Sequence, residues 1–430
     1  MLRTHNCGEL RAEHAGQHVA LCGWVEFHRV QGKVSFIVMR DRYGATQVFV
    51  NPALTKTIGE LKRETVVLVK GEVKKRPENQ VRKELETGEI ELSASEIEVI
   101  SEAEAPLPID LSEESTTNMD KRLDYRFLDM HRKKTQAIFI IQSEIAHAFR
   151  EYFYKGGYVE MQPPCVISAA SEGGTDLFSV QYFEKKAYLA QSPQLYKQML
   201  ACSIGKTVTV TPVWRAEKHN TPRHINEIRQ MDIEVAFLDQ MEIMNELEKA
   251  VKYIVQQVLD NCGKELETLG VKELKVPEGV YLPYGEAMEK VDGTPGEDLT
   301  PEQEKKLCAM YPGDVVFVHS WPSSIKPFYI MPKGMDPDAD MSEGFDALYG
   351  GIEISSGGQR IHLPELLIAR LKAKGLDPDD FKSYIDSFRF GAPPHSGWSI
   401  GLERLTQIIC GLDNVKEATM FPRDRDRLTP

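Results

Sequence analysis

The sequence predicts an α+β chain: a small closed β-barrel over residues 1–100, a hinge over 101–130, and a larger body over 131–430 built on an antiparallel sheet flanked by helices. Three observations predict it. Short runs rich in Val, Ile, Phe and Thr crowd the first hundred residues, broken by Gly or by "DRYG". A polar, acidic segment with two prolines, "SEAEAPLPIDLSEESTTNMDKRLDYR", follows and reads as a linker. Beyond it, strand-like and helical runs mix without the regular crossovers of a parallel sheet.

In the first part the strands are "HVALCGWVEFHRV", "KVSFIVMRD", "ATQVFVN" and "TVVLVKGEV", with room for a fifth before Ile100. Four or five such strands suit an OB-fold, a barrel that binds single-stranded nucleic acid across one face; a plain β-domain is the alternative. In the second part, Ile138, Ile141, Ile145, Phe149 and Phe153 recur at helical spacing, and Gly156-Gly157 ends that helix. "KTVTVTPVW", "DIEVAFL", "DVVFVHSW" and "PFYIMP" read as strands; "MEIMNELEKAVKYIVQQVLDNC" and "PELLIARLKAKG" read as helices. "GGIEISSGGQRIH", residues 350–362, looks too polar for a core strand and too rich in Ile for a linker.

At 430 residues, 41% hydrophobic and 27% charged, the chain is ordinary for a soluble globular protein. No apolar run approaches the ~20 residues of a membrane span, and the N-terminus has no signal-peptide core, so a cytosolic protein is expected. The seven cysteines are scattered, without zinc-ligand spacing; reduced thiols and no structural zinc are the expectation. The net charge of −13 disfavours a polyanion partner, yet residues 1–90 carry a local +4. A slightly basic barrel on an acidic body still offers one face to nucleic acid.

Three polar constellations mark the body. In "VWRAEKHNTPRH" (213–224), Arg215, Glu217, Arg223 and His224 flank a turn between two strands, where arginine forks suit phosphate oxygens or a salt-bridged hairpin. In "GGIEISSGGQRIH", Glu353 and Ser356 are hard oxygen donors suited to Mg²⁺, the glycines admit a bulky ligand, and Arg360 is left for a second anion; a surface loop is the alternative. "SGWSIGLERL" (396–405) leads small residues into a helix with Arg404 at its start. Together the arginines imply a polyphosphate ligand, although neither GxxxxGK[ST] nor GxGxxG occurs.

"GYVEMQPP", "VWRAEKHNTPRH" with "DIEVAF", and "SGWSIGLERL" resemble motifs 1, 2 and 3 of the class II aminoacyl-tRNA synthetases. With the OB-like domain, "EGGTDLF", "QSPQLYKQ", "EISSGGQRIH" and the terminal "FPRDRDRLTP", the resemblance narrows to the aspartyl-tRNA synthetases of the compact archaeal type and covers nearly the whole chain. Too few residues separate motifs 2 and 3 for the extra domain of the larger bacterial form. Two departures stand out: Trp214 replaces the usual Phe before the motif 2 arginine, and Trp398 enters motif 3, where it is expected to narrow the adenine side of the pocket.

The resemblance implies a full set of roles. Arg215 binds the ATP α-phosphate and the substrate α-carboxylate, Glu217 the adenine amine, and Arg223, His224 and Arg404 the outer phosphates. Glu353 and Ser356 resemble Mg²⁺ ligands. Lys197 and Arg360 meet the aspartate β-carboxylate with help from Gln194, while Glu172 and Asp232 attract the ammonium. In the barrel Phe36 stacks on the central anticodon base, and Arg29, Gln47 and Glu91 read base edges. Glu26 and Glu78 lie near the third anticodon base, where tRNA-Asp and tRNA-Asn differ. Pro164 marks a homodimer interface. The implied partners are ATP, L-aspartate and tRNA-Asp, and the implied reaction is aspartyl-adenylate formation followed by transfer to the tRNA 3′ end. Asparaginyl-tRNA synthetase, a sister with the same fold, is the nearest rival; Lys197 and Arg360 argue against it, because a neutral carboxamide would leave two buried cations under-compensated.

Overall fold

The computed structural model describes residues 2–168 and 177–430, and the chain divides into two compact units, Met1–Thr117 and Asn118–Pro430. This division falls inside the segment read as a linker. Its second half is helical: Asn118 caps the helix Met119–Asp124, and the next helix, Arg126–Asp129, carries a buried pair between Arg126 and Asp129 at 2.5 Å.

In the first unit, strands β1 (His18–Gln31), β2 (Val34–Asp41), β3 (Gly44–Val50), β4 (Val66–Lys75) and β5 (Ile90–Ser101) close a barrel in the order β1-β2-β3-β5-β4. Strand alternation sorts the side chains. Leu21, Val25, Ile37, Met39, Val48, Val69 and Leu92 fill the interior, so Phe36, Gln47 and Phe49 emerge on the outer wall.

The second unit is built on an eight-stranded sheet: β6 (Val159–Glu160), β10 (Lys206–Trp214), β11 (Glu227–Ala236), β12 (Gly279–Pro283), β13 (Val315–His319), β14 (Gly344–Tyr349), β15 (Ile352–Gln359) and β16 (His395–Gly401), ordered β12-β13-β14-β15-β16-β11-β10-β6. The six central strands are antiparallel, as expected; the edge strands β12 and β6 pair in parallel with their neighbours. A small sheet, β7 (Val166–Ile167), β9 (Lys185–Leu189) and β8 (Ser179–Tyr182), stands beside it.

The two faces of the large sheet differ by alternation. Met231, Ile233, Val235, Ala347, Trp398 and Ile400 point into the main core, against the helices Lys133–Lys155 and Gln240–Asn261. The five apolar positions expected on the first helix are all buried there, each contributing about 1.5–3 kcal/mol. That helix ends before Gly157, whose φ of 76° suits glycine. Reciprocal capping of Asp239 and Glu242 starts the second. Asp232, Glu234, Asp346, Ser356 and Ser399 lie on the opposite face.

Two expectations need correction. "PFYIMP" is not a strand: Ile330 and Pro332 make only isolated bridges, because Pro327 and Pro332 have no N–H to sustain a ladder. "GGIEISSGGQRIH" does contain an interior strand, β15, fourth of the eight. Its polarity belongs to the face away from the core, and its glycines allow close approach: a Cβ on Gly357 would lie 2.6 Å from the Gly397 carbonyl. Among the described residues no helix is long and apolar enough to cross a membrane.

Candidate functional site

The residues of the "VWRAEKHNTPRH" hairpin converge on one cleft in the second unit. Strands β10 and β11 pair out to Trp214 opposite Glu227, and the loop between them brings Arg215, Glu217, Arg223 and His224 together with Glu353, Ser356 and Arg404. Buried Asn226 ties the loop down, its Nδ2 donating to the carbonyls of Arg215 (2.7 Å) and Glu217 (3.2 Å). Arg215 itself is exposed. Arg223 is already engaged by Glu304 at 2.8 Å and by the Gly351 carbonyl at 3.1 Å. Arg404 donates to the Glu353 carbonyl at 2.7 Å. Burial lowers the His224 pKa, with Arg404, His219 and Arg223 adding to it against Glu217, so the imidazole is neutral at pH 7.

Glu353 reaches this cleft through an irregularity. Residues 353 and 356 are an odd number apart, so ideal alternation would place them on opposite faces. A bulge opposite Ala347/Leu348 adds one residue to β15, and Glu353, Ser356 and the cross-strand Asp346 end up on the same face. Burial, then Asp346, raise the Glu353 carboxyl to about 7; Arg404 and Lys326 oppose them. A carboxylate pushed up beside a second carboxylate, with a hydroxyl adjacent, is a hard-oxygen set that fits Mg²⁺ sharing its shell with phosphate and water. No group of three or more His, Cys, Asp or Glu side chains suited to a metal occurs among the described residues, so such an ion would depend on the ligand for most of its shell.

Farther along the same face is a buried cluster of four charges. Lys197, from the helix Gln194–Ile204, donates to Asp232 at 2.8 Å and to the Trp398 carbonyl at 3.1 Å, and lies 3.5 Å from Glu234. Arg360 donates Nε and Nη2 to Glu234 at 3.0 and 3.4 Å and sits over the Tyr329 ring. Burial, the largest single influence, opposes the Arg360 charge, but Glu234, by charge and hydrogen bond, together with Tyr329 and Tyr384 raises the pKa. Burial raises the Asp232 carboxyl, against the pull of Lys197, and its Oδ2 has no hydrogen-bond partner. Glycine makes the room: a Cβ on Gly397 would sit 2.0 Å from a Glu234 oxygen. The structure thus brings together the predicted Lys197, Asp232 and Arg360, with Gln194 on the same helix as Lys197, and adds Glu234, which sequence reasoning missed. Alternation in "MDIEV" carried the signal, since Asp232 and Glu234 share the face that Met231, Ile233 and Val235 avoid. Asp346 in "FDALY" was missed for the same reason. Glu172 lies outside the described residues. Trp398 does not narrow the cleft; it is fully buried on the core face against Phe149 and Phe153, because its place in β16 puts it on that side.

The barrel has its own cleft, lined by Glu26, Arg29, Phe36, Gln47, Phe49, Arg82 and Glu91 among others. Phe36 is half-buried and 5.7 Å from Phe49, on the outer wall and not in the core. Gln47 donates to Glu91 at 3.4 Å and accepts from Arg82 at 3.1 Å. Glu78 is exposed and Arg29 is exposed opposite Phe36.

Comparison with known proteins agrees with both halves. Residues 19–100 match the family described as OB-fold nucleic acid binding domain, and residues 118–425 match tRNA synthetases class II (D, K and N). The Aspartate–tRNA(Asp/Asn) ligase of Methanocaldococcus jannaschii is 42% identical, covering 100% of this chain and 98% of that protein. The Aspartate–tRNA(Asp) ligase of Thermoplasma acidophilum is 39% identical over 98% of each. The solved structure of asparaginyl-tRNA synthetase from Pyrococcus horikoshii, complexed with asparaginyl-adenylate, superposes with a TM-score of 0.92 at 32% identity, covering 100% of both chains. A cleft built from motifs 2 and 3 and β15 on one sheet face, an outward-facing barrel cleft and full-length similarity on this scale lead to one conclusion: the chain belongs to the class II tRNA synthetases of the D, K and N group.

Proposed function

We propose that this protein is an aspartate–tRNA ligase, activating L-aspartate with ATP and transferring it to the 3′ end of tRNA-Asp, as a cytoplasmic enzyme. One observation carries the reading. Two buried cations, Lys197 and Arg360, stand on the same sheet face as the arginine-lined cleft, within reach of an amino acid whose α-carboxylate meets that cleft. The nucleophile is that α-carboxylate, ionised at pH 7, so no general base is needed in the first step. Arg215 orients it against the α-phosphorus and neutralises the charge that develops there, while Arg223 and Arg404 hold the outer phosphates. Neutral His224 contributes a hydrogen bond and no charge, and Glu217 accepts from the adenine amine. Glu353, Ser356 and Asp346 would hold Mg²⁺, which supplies neutralisation of the triphosphate when bound. ATP–pyrophosphate exchange with aspartate and asparagine in parallel tests the reading; exchange driven by asparagine alone overturns it. A specific observation favours that second reading: Asp232 and Glu234 already balance Lys197 and Arg360, so a neutral amide leaves the cluster neutral.

The raised Glu353 carboxyl makes metal dependence a function of pH. Its proton must leave before the carboxylate coordinates, so apparent Mg²⁺ affinity in the exchange reaction rises as pH passes upward through about 7 and weakens below it. Glu353→Gln removes this dependence; a half-saturating Mg²⁺ concentration that is flat with pH in the wild type contradicts the assignment.

In the barrel, Phe36 stacks on the central anticodon base while Arg29, Gln47 and Glu91 bond base edges, the usual mode for unstacked RNA loops. Phe36→Ala is expected to raise the tRNA KM by about tenfold or more, at ~1–3 kcal/mol per stacked base, Gln47→Ala by a similar factor, at ~1–3 kcal/mol per base-edge contact, and both leave ATP–pyrophosphate exchange intact. Glu26 faces the cleft, where a carboxylate accepts from the cytosine N4 amine and repels the uracil O4, favouring tRNA-Asp over tRNA-Asn. Comparable charging of both purified tRNAs overturns that preference. A homodimer through the region around Pro164 is consistent with the exposed apolar side chains of Tyr154, Val159 and Val166, and sedimentation of the purified chain tests it.

A further inference from the structure

Around the four-charge cluster lies a run of buried polar side chains, of which only Gln194 has a role above. His395, the first residue of β16, has its Nδ1 at 2.9 Å from the Pro393 carbonyl. A carbonyl only accepts, so Nδ1 carries the hydrogen and Nε2 is the bare nitrogen of the neutral ring. That nitrogen accepts from Gln198 Nε2 at 3.0 Å. The Gln198 amide is thereby oriented, and its Oε1 accepts twice, from Gln194 Nε2 at 2.8 Å and from the Tyr384 hydroxyl at 2.8 Å. All four side chains are buried, and the imidazole stacks on Phe388 with ring centroids 5.6 Å apart.

Directionality is what makes the run informative. Turning the Gln198 amide over would set its NH₂ against the Gln194 NH₂ and its oxygen against a bare nitrogen, two mismatches between buried groups that the rotatable Tyr384 hydroxyl cannot relieve. Gln194 is fixed in turn: its NH₂ is committed to Gln198, which leaves its carbonyl oxygen as the end offered to a ligand. A carbonyl oxygen suits an ammonium and not a carboxylate, so this geometry goes against the expectation that Gln194 helps to hold the β-carboxylate. The charged and titratable neighbours keep the imidazole neutral. Burial, the largest influence, disfavours its charge, and Arg360 and His362 add to that against Glu234 and the Pro393 carbonyl.

We propose that His395 is a positioning residue for amino-acid binding: acting through Gln198, it sets the Gln194 amide so that its carbonyl oxygen meets the substrate ammonium. The inference rests on the reading of the chain as an amino-acid-activating enzyme. It does not depend on which side chain the amino acid carries.

The test is ATP–pyrophosphate exchange by the full chain carrying His395→Leu or His395→Gln. Leucine removes the acceptor, whereas glutamine offers a carbonyl oxygen near the former Nε2 and cannot titrate. The leucine variant is expected to raise the aspartate KM about tenfold or more, the loss of one oriented polar contact, with the ATP KM within about twofold. The glutamine variant recovers most of the loss. Equal aspartate KM values in the two variants, whether both raised or both normal, overturn the proposal and leave His395 a packing residue. Should the leucine variant fail to fold, Gln198→Met, similar in volume but without the amide, decides it: an unchanged aspartate KM counts against the relay, a raised one with normal ATP KM supports it. If the wild type exchanges with asparagine and not aspartate, the ligase reading fails while this one is tested unchanged on the asparagine KM.

Discussion

Replacing Arg360 by leucine is expected to abolish measurable aspartate activation and, separately, to destabilise the fold. The first effect follows from recognition. Aspartate and asparagine are nearly isosteric, so charge has to separate them, and loss of one of two converging cations is worth several kcal/mol, roughly 10³-fold in kcat/KM at ~1.4 kcal/mol per tenfold. The second follows from the pairing seen here. Arg360 holds Glu234 through two hydrogen bonds in a fully buried site, and removing it leaves a carboxylate facing only Lys197. Breaking a buried pair in this way costs about 3–5 kcal/mol. The two effects separate in the double variant Arg360→Leu with Glu234→Gln, in which the stranded charge is gone: thermal stability recovers while aspartate activation does not. Lys197→Met behaves in parallel, with Asp232 as the stranded partner. Near-normal aspartate activation in Arg360→Leu reduces this strand to a metal-facing element and reopens the choice of amino acid.

Arg215→Ala is expected to lower kcat of the exchange reaction by about 10²–10³-fold, the range for removing one group aimed at developing charge. Its melting temperature should match the wild type, because the side chain is exposed and the loop's anchor is Asn226 bonding to the Arg215 backbone carbonyl, which alanine keeps. The contrast with Arg360 is the point of making both: one arginine acts from a solvated position at the mouth, the other from within a compensated interior. A stability loss in Arg215→Ala as large as that of Arg360→Leu would show that the motif 2 arginine is a scaffold element.

Most of the architecture was legible because it follows from periodicity. Barrel strands, the helix carrying Ile138 to Phe153 and the hairpin around residues 215–224 all announce themselves by alternation, helical spacing or turn residues. What escaped was set by tertiary partners. Nothing local reveals that Asp232 and Glu234 neutralise Lys197 and Arg360, because those four residues come from three separated segments. The strand character of "EISSGGQ" was hidden because glycine and serine lower β-propensity, yet here they are what neighbouring strands and a packed carboxylate require. Trp398 was misplaced because a motif names residues without saying which way each one points.

The extra residue on β15 gives the site a dependence on chain length. β14 offers no counterpart to Ile354, and this one surplus position shifts the phase of everything before it relative to everything after it. Inserting one residue between Ala347 and Leu348 would give Ile354 a partner and leave Glu353, Ser356, Arg360 and Arg404 all present in the sequence, so any inspection by motif would pass the protein as intact. The ladder would close into regular register with Ile354 paired, and Glu353, three residues from Ser356, would turn from the cleft to the oily side. Substitutions at this strand would grade activity; a single-codon insertion in the neighbouring strand would switch it off while keeping every motif letter in place.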